Sequence, residues 1–332
     1  MAAKKLLYYI NDGRIQINNG QPQGGMSVKK KWSLLLLILL ISFLVLGCGE
    51  KGEPPKQPAE EEPDDGRVVV EKVAPVCVMI DNHRAARPHS GLQEAHFVYE
   101  FLVEGGISRL MAVFDRPPAE NLIIGPVRSL RPYFAETAVE HGGAVAFSGT
   151  SERTDEMIAH LPLKKITAGK YFWRDSSRQA PHNLYTDLAK LYEARGESEV
   201  QTDRVLPQEL PAGEEALEIE IVYSRDNVAS YKYDPEKDLY MRFQNGEAHV
   251  DRETGLQYGA ARVIVRQNAH QNVPGTPLVD IDVSGSGTAV LYAGGQKYDL
   301  TWEKNGETTV YRLSDGTVLD LTLGNTWIQV VR

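Results

Sequence analysis

The chain has 332 residues, of which 42% are hydrophobic and 24% are charged, and this is enough for one large or two ordinary domains. The composition excludes a disordered protein, a collagen and a polytopic membrane protein. The first 47 residues carry six basic groups and one acidic group, whereas the remainder carries 30 basic and 44 acidic groups, a net charge of −14. Because so acidic a body repels polyanions, we expect no nucleic-acid partner.

The N-terminal region has the pattern of a signal peptide ending at residue 47. Three lysines, Lys29 to Lys31, precede an apolar run over 32–46 that ends in Gly47-Cys48. The run has about 15 residues, fewer than the roughly 20 that a spanning helix needs. Val45-Leu46-Gly47-Cys48 resembles a bacterial lipobox, which implies a lipid anchor on Cys48 and a position on the outer face of the cytoplasmic membrane. An uncleaved signal anchor is the alternative, and it gives the same location.

Residues 1–25 precede the charged region, so we expect translation to start near Met26 or Val28. Residues 48–66 are rich in Gly, Pro and acidic residues and cannot form a core, which predicts a flexible tether. The second cysteine, Cys77, lies in an apolar run, so we expect a buried, inert thiol.

Residues 67–205 are predicted to form an α/β domain with a layered mixed sheet. The apolar run Pro75–Ile80 predicts a central strand. Phe97–Val103 and Ile107–Phe114 flank Glu104-Gly105-Gly106 and predict a hairpin. Four further segments continue the alternation of strands and helices that is typical of an α/β fold: Leu130–His141, Ala144–Phe147, Ser151–His160 and Thr186–Arg195.

Residues 206–215 are polar and contain prolines, which predicts a linker to a mainly β, antiparallel C-terminal domain over 216–332. Turn dipeptides such as Asn245-Gly246 and Asp315-Gly316 separate short apolar segments, as in a meander or small barrel. The predicted strands are Leu217–Tyr223, Leu239–Phe243, Ala261–Arg266, Leu278–Val283, Ala289–Tyr292, Lys297–Trp302, Thr308–Leu313, Val318–Leu321 and Trp327–Val331.

Between Val73 and Leu163 the chain has seven arginines and no lysine. A guanidinium group can grip a carboxylate or phosphate with two parallel hydrogen bonds, which lysine cannot do. Several of these arginines follow predicted strands or precede a helix, where α/β sheets bind anions. The alternative is a set of ion pairs with Asp81, Glu94, Glu100, Glu104 and Asp115. The candidate ligand-binding arginines are Arg87, Arg109, Arg128 and Arg131.

Two polar clusters complete the candidate site. Asp81-Asn82-His83 follows the first predicted strand, and His182-Asn183 follows Pro181. If they meet in one cleft, Asp81 could act as a general base, with His83 or His182 as the acid. Turn formation is the alternative role, because Asx residues also stabilise turns.

Signatures of common enzymes are absent from the sequence. It has no Gly-x-Ser-x-Gly, no phosphate-binding Gly-rich Lys loop and no His-Glu-x-x-His, and no pair of histidines has zinc spacing. We therefore expect no cofactor and no metal. Late in the chain, His249 and Asp251 lie in the segment 249–255, for which a weak metal or sugar contact and a solvated hairpin end are both open.

Six segments together resemble the YerB-like family of bacterial lipoproteins: Val78–His83, Arg87–Leu92, Val98–Glu100, Gly125–Arg131, Ala180–Asn183 and His249–Gly255. The resemblance runs from about residue 70 to the C-terminus and implies a two-domain extracytoplasmic lipoprotein. The resemblance implies no known activity, so it assigns no catalytic residue to this chain.

The leading hypothesis is a lipid-anchored protein that binds an anionic glycan or phosphate-containing ligand of the cell envelope through the arginine-rich cleft. One alternative is an envelope hydrolase or transferase that uses Asp81 and His182 for acid–base chemistry. Another is a scaffold whose β-rich half docks protein partners. The sequence leaves open whether the chain is an enzyme.

Overall fold

The computed structural model describes residues 66–167, 169–306 and 308–332, together with the strands β1 (Ile10–Asn11) and β2 (Arg14–Ile15), which pair antiparallel. The chain divides into two compact units, Met1–Asp64 and Asp65–Arg332. The predicted signal peptide, Cys48 and the tether lie outside the described residues. Both hydrophobic cores lie wholly within the second unit, so this part can fold on its own.

The N-terminal half alternates strands with three helices: β3 (Val68–Lys72), β4 (Val76–Asp81), β5 (Phe97–Leu102), β6 (Ser108–Phe114), β7 (Ile123–Ile124), α1 (Pro132–His141), β8 (Ala144–Ala146), α2 (Glu152–Ile158), β9 (Lys164–Ile166), β10 (Phe172–Arg174), β11 (Leu184–Asp187), α3 (Leu188–Arg195) and β12 (Gln201–Val205). Short 3-10 turns lie at Arg84–Ala86, Leu92–Glu94 and Glu104–Gly106.

The C-terminal half has strands and no helix in its described part: β13 (Glu214–Glu215), β14 (Glu218–Ser224), β15 (Asn227–Asp234), β16 (Leu239–Gln244), β17 (Glu247–Ala248), β18 (Gly259–Ala260), β19 (Arg262–Gln267), β20 (His270–Asn272), β21 (Val279–Ile281), β22 (Gly285–Ala293), β23 (Gln296–Lys304), β24 (Thr309–Leu313) and β25 (Thr326–Val331).

One sheet of eleven strands contains strands from both halves. Its order is β13-β23-β22-β19-β25-β5-β6-β4-β8-β9, and β24 also pairs with β23. The last strand, β25, lies parallel between β19 and β5, where Thr326 is opposite Phe97. The N-terminal part of this sheet is mixed, because β4 is antiparallel to β6 and parallel to β8.

The described chain also has smaller sheets. A five-stranded antiparallel sheet contains β14, β15, β16, β17 and β18. A three-stranded sheet of order β10-β11-β7 positions two loops that matter below, and β3 pairs with β12. The described fold is therefore α/β with a mixed sheet followed by mainly antiparallel strands, as the sequence predicts.

Two hydrophobic cores cover the two faces of the large sheet. In β4, Cys77 and Met79 point to the core that contains α1, whereas Val76, Val78 and Ile80 point to the core that contains α3 and the five-stranded sheet. Burial on both faces explains why β4 is a continuous apolar run rather than an alternating one. Burial also raises the pKa of the Cys77 thiol to about 12, which keeps it protonated and inert, as predicted.

Most predicted elements are confirmed, including the hairpin β5–β6 and the helix α1. Thr186–Arg195 is divided between the end of β11 and α3, because Asp187 caps the helix by accepting a hydrogen bond from the Lys190 amide. Val318–Leu321 is not a strand: the exposed Val318 forms only an isolated bridge with Arg312. Of the predicted linker, Glu214–Glu215 pairs with β23. The domain boundaries stay a prediction, since the two halves share one sheet.

Candidate functional site

The candidate site lies at the carboxyl end of β4, beside the ends of the parallel strands β8 and β9. The segment Pro126–Arg128 runs alongside β4: the Asp81 amide donates to the Pro126 carbonyl and the Arg128 amide donates to the Met79 carbonyl, both at 2.9 Å. The Ser148 amide, just after β8, donates to the Arg128 carbonyl at 3.0 Å. The backbone thus places the side chains of Arg128 and Asp81 next to each other.

His182 reaches the same place from the loop before β11. The Val127 amide donates to the Leu184 carbonyl at 2.6 Å, which joins this loop to the segment that carries Arg128. His182 Nδ1 then lies 2.7 Å from Asp81 Oδ2, and Arg128 Nε lies 3.3 Å from the same oxygen. Asp81, Arg128 and His182 therefore converge, which the sequence could not show.

The Asp81 carboxylate is almost fully occupied by donors. Its second oxygen accepts the His83 amide at 3.0 Å, and the residue is only 1% exposed. Burial alone would raise the pKa of Asp81, but hydrogen bonds from the His83 amide and His182, together with the positive Arg128, lower it. Asp81 is therefore ionised, and His182 donates its Nδ1 proton to it.

His83 stacks on His182, with ring centroids 4.5 Å apart and planes 11° from parallel. His83 Nδ1 accepts the Ala85 amide, so a neutral His83 carries its proton on Nε2. Burial and the neighbouring His182 lower the pKa of His83. We call Asp81, His83, Arg128 and His182 the open cluster, because the last two side chains are 30% and 18% exposed.

Asn82 and Asn183 hold loops rather than face solvent. Asn82 Nδ2 donates to Glu100 and to Ser108, and its carbonyl groups accept Arg87 Nε at 3.2 Å and Nη2 at 2.8 Å. Asn183 Nδ2 donates to the carbonyls of Asp175 and Arg178, while its Oδ1 accepts Arg174 Nη1. Arg87 and both asparagines thus shape the loops of the site.

Arg109 and Arg131 are ion-paired to Glu104, as the alternative interpretation of the arginines expects. Arg131 donates to Glu104 through both Nε and Nη2, and Arg109 Nη2 lies 3.8 Å from the same carboxylate. Arg109 Nη1 also donates to the Ser129 carbonyl at 2.8 Å. Burial would raise the pKa of Glu104, but the bond from Arg131 lowers it. Of the four candidate arginines, Arg128 remains the one in the open cluster.

A second polar group, which we call the buried cluster, consists of His89, Glu100, Arg242 and His249. Arg242 Nη2 bonds to Glu100 Oε2 at 2.7 Å and Arg242 Nε donates to His249 Nδ1 at 3.0 Å. His249 Nε2 lies 2.7 Å from His89 Nδ1, and His89 Nε2 lies 2.6 Å from the Asp81 carbonyl. These residues are at most 3% exposed.

The donors in the buried cluster can be assigned from its two ends. The Asp81 carbonyl can only accept, so His89 donates from Nε2 and accepts at Nδ1 from His249 Nε2. His249 Nδ1 is then free to accept from Arg242. Both rings are neutral, and burial lowers the pKa of His89 to about 3 and that of His249 well below its usual value.

The segment 249–255 forms the end of a short hairpin, part of which is buried. Val250 and Gln257 form an antiparallel bridge around a turn whose tip, residues 253–256, is exposed, so the hairpin end is solvated there. The side chains of His249 and Asp251 are instead buried, at 3% and 5% exposed. Asp251 accepts hydrogen bonds from the Gly91 amide and the Tyr258 hydroxyl, which leaves it no role as a metal ligand. Within residues 66–332, as far as they are described, no group of three His, Cys, Asp or Glu residues could hold a metal ion.

A cavity of about 620 Å³ lies at the other end of β4. Pro75, His96, Asp115 and His141 line it. His96 bonds to Asp115 at 2.6 Å and to the Leu321 carbonyl at 2.9 Å, so these polar groups already have partners. The cavity is separate from the open cluster.

Both halves of the chain match domains of one family in comparisons with known proteins. Residues 64–201 match the N-terminal domain, and residues 219–328 the C-terminal domain, of a family described as a protein of unknown function (DUF3048). The chain is 30% identical over 323 residues to a Bacillus subtilis protein described as a putative lipoprotein, YerB, covering 91% of this chain and 96% of that protein. The chain belongs to the YerB-like family.

The family likeness extends to the structure. The crystal structure of the YerB protein from Bacillus subtilis is similar with a TM-score of 0.69 at 29% identity, covering 78% of this chain and 91% of that chain. The description of this relative as a putative lipoprotein agrees with the lipobox-like sequence before Cys48, which itself lies outside the described residues. No helix in the described part of this YerB-like chain is long and apolar enough to cross a membrane.

Sequence reasoning missed His89 and the links between the two halves. The signal available was weak: His89 and His249 both lie in segments that carry the family resemblance, but nothing in their spacing shows that they touch. Nothing in the sequence indicates that Arg242 is buried, because a single arginine in an alternating strand normally faces solvent.

Proposed function

We propose that this chain is an extracytoplasmic lipoprotein, anchored through Cys48 to the outer face of the cytoplasmic membrane, that binds an anionic envelope ligand at the open cluster. The lipobox, the preceding lysines and the YerB lipoprotein relative support the anchor. The ligand would present a phosphate or carboxylate group, which envelope glycans and their lipid-linked precursors carry.

The observation that carries this proposal is the environment of Arg128. Its side chain is 30% exposed, and no hydrogen bond joins its terminal nitrogens to any described residue. The only carboxylate of the open cluster, Asp81, is buried and occupied, so it presents no negative surface to a ligand. A half-exposed guanidinium with free donors, beside two histidine rings, favours an oxyanion over a cation.

Position in the fold supports the same proposal. The open cluster lies at the carboxyl ends of neighbouring parallel strands, β4 and β8. Loops at this edge of an α/β sheet commonly form ligand sites because backbone and side-chain donors converge there. The loop after β8, Ser148–Ser151, adds hydroxyl groups that are partly exposed.

The test is ligand-induced thermal stabilisation of the soluble body, residues 65–332. Inorganic phosphate, glycerol phosphate and a muropeptide serve as probes, and each is tested on the wild type, on Arg128→Gln and on Arg225→Gln. Arg225 is an exposed turn residue and is the matched control. A probe at a hundred times its Kd stabilises the native state by about 2.7 kcal/mol.

We expect at least one probe to stabilise the wild type and Arg225→Gln but not Arg128→Gln. Equal stabilisation of Arg128→Gln, or no stabilisation of the wild type by any anionic probe, would contradict the proposal.

A second candidate function, acid–base catalysis, is favoured by the bond between His182 and Asp81. A carboxylate that accepts the Nδ1 proton leaves His182 Nε2 free to take a proton from a bound hydroxyl group. Incubating the stabilising ligand with the protein and following it by mass spectrometry separates the two functions. Turnover that is lost in His182→Gln, with binding retained, identifies an enzyme, whereas an unchanged ligand identifies a binding protein.

A further inference from the structure

The segment His249–Glu253 of the C-terminal half contacts both loops that carry the open cluster. One is the loop 82–91, which follows Asp81 and contains His83. The other is the loop 175–183, which contains His182. These contacts connect parts of the chain that are far apart in sequence, and they lie next to the site rather than inside it.

Three residues of the loop 82–91 form hydrogen bonds with the segment His249–Glu253. Gly91 donates its amide to Asp251 Oδ2 at 2.7 Å, and Ser90 Oγ donates to Glu253 Oε1 at 2.8 Å. The Arg252 amide donates to the His89 carbonyl at 2.7 Å. Asp251 itself is fixed by the Glu253 and Thr254 amides and by the Tyr258 hydroxyl.

Within the N-terminal half, Arg178 joins the loop 175–183 to the Ala86 and Pro88 carbonyls. From the C-terminal half, the side chain of Arg252 holds this loop. Its Nη1 bonds to Asp175 Oδ2 at 2.5 Å, and its Nη2 donates to Ser177 Oγ at 3.2 Å. The guanidinium also lies over the Tyr185 ring, 5.4 Å from the centroid. This side chain is 29% exposed, so it can be replaced without opening a hydrophobic core.

The buried cluster adds a third attachment, at Asp81 itself. Hydrogen bonds are donated in one direction from Arg242 through His249 and His89, and they end on the Asp81 carbonyl. A peptide carbonyl cannot pass a proton on at neutral pH, so this chain of bonds orients the backbone of Asp81 and does not conduct protons.

We propose that the segment His249–Glu253 positions the open cluster, with Arg252 as the residue of the C-terminal half that holds the His182 loop in place. The C-terminal half thus completes a site whose side chains all come from the N-terminal half. What the site binds rests on the function proposed above, whereas the positioning role does not.

The test compares Arg252→Gln, Arg252→Lys and a control, Arg262→Gln. Arg262 is also a partly buried arginine of the C-terminal half, but it bonds to the Leu323 carbonyl. Proteins labelled with ¹⁵N-histidine report the ring tautomers by NMR. The wild type should show His182 protonated on Nδ1 and His83 on Nε2.

We expect Arg252→Gln to remove the fixed Nδ1–H signal of His182 and to weaken phosphate binding roughly 3- to 10-fold. Arg252→Lys, which retains the charge opposite Asp175, should recover part of both. Arg262→Gln should change neither. A wild-type His182 signal in a folded Arg252→Gln protein would overturn the proposal.

Asp175→Asn removes the same ion pair from the loop side and should reproduce Arg252→Gln, with no further effect in the double variant. It also decides the matter if Arg252→Gln does not fold. If phosphate does not bind the wild type, the function proposed above fails, while the His182 signal still decides whether the segment positions the site.

Discussion

The open cluster and the buried cluster use the same kinds of side chain and meet at Asp81, yet they differ in how their donors are used. In the buried cluster, Arg242 is matched by a carboxylate, a ring nitrogen and two other oxygens. In the open cluster, the terminal nitrogens of Arg128 have no partner among the described residues. Residue type therefore does not distinguish the two clusters, but the completeness of their hydrogen bonding does.

The difference in hydrogen bonding between the two clusters follows from their different exposure to solvent. A buried arginine or histidine needs partners within the protein for most of its donors, because an unpaired buried charge is very costly. A half-exposed one can keep donors free for a ligand, since water satisfies them in the meantime. The comparison predicts large stability effects in the buried cluster and small ones in the open cluster.

The largest expected effect is that of Glu100→Gln, which leaves Arg242 buried without a carboxylate. We expect the free energy of unfolding to fall by about 3–5 kcal/mol, measured by urea denaturation. Glu193→Gln, which breaks the exposed pair with Lys170, is the control and should cost less than about 1 kcal/mol. A similar fall in the free energy of unfolding for the two variants would mean that burial does not make the Arg242–Glu100 pair more important for stability than the exposed pair.

Lowering the pH should reduce the stability of the folded protein, because the histidine rings of the buried cluster are neutral in the native state. The pKa of His89 is lowered in the folded state, so the unfolded chain binds the extra proton and stability is lost as pH falls through the ordinary histidine pKa. Between pH 7 and 5 we expect a loss of about 2 kcal/mol for each of His89 and His249. Urea titrations at several pH values measure it, and His249→Gln should reduce the dependence by about one proton.

A flat stability profile between pH 7 and 5 would show that these rings are protonated in the native state. Asp81 and Asp251 have lowered pKa values, so their contributions are lost only below the pH range of the experiment.

Gly91→Ala tests how tightly the site loops are held. Gly91 has φ of 83°, and an added Cβ would lie 2.5 Å from the Ile123 carbonyl oxygen. We expect a loss of about 3 kcal/mol from the backbone conformation and the clash together. Gly105, with φ of 74° and open space around it, is the matched control, and its replacement should cost about 1 kcal/mol. Equal losses of stability in the two variants would indicate that the backbone near Gly91 shifts to make room for the added Cβ.

The smallest expected effect on stability is that of Arg128→Gln, below about 1 kcal/mol, because Asp81 retains its bonds to the His83 amide and to His182. Arg131→Gln removes the main partner of Glu104 and should cost about 1–3 kcal/mol. Thermal and urea denaturation compare the two. An Arg128 variant as unstable as the Arg131 variant would place Arg128 among the structural arginines.

The sequence predicts the fold class well because local patterns carry it. The continuous apolar run of β4 and the turn between β5 and β6 are local signals. By contrast, β15 was missed, since its buried positions are occupied by Asn227, Ala229 and Tyr231, a weakly apolar pattern. The neighbours of β25 could not be predicted, because pairing between distant strands leaves no local signal.

The candidate site was predictable in its residues but not in its geometry. Asp81, Arg128 and His182 are polar residues at the ends of apolar segments, which is a visible signal. Their convergence depends on the pairing of 126–128 with β4 and on the bond from Val127 to Leu184. Arg128 and Arg131 look alike in sequence, and only the position of Glu104 separates them.

The placement of β25 also constrains how the molecule can assemble. This strand comes last among the described strands, yet it forms the centre of the large sheet, between β5 and β19. Until it arrives, both neighbours expose an unpaired edge, which is the surface on which strands of other chains pair and aggregate. Pairing so distant in sequence slows folding, because a long loop must close first. During synthesis, these two edges therefore remain open to wrong pairing until residues 326–331 have been made.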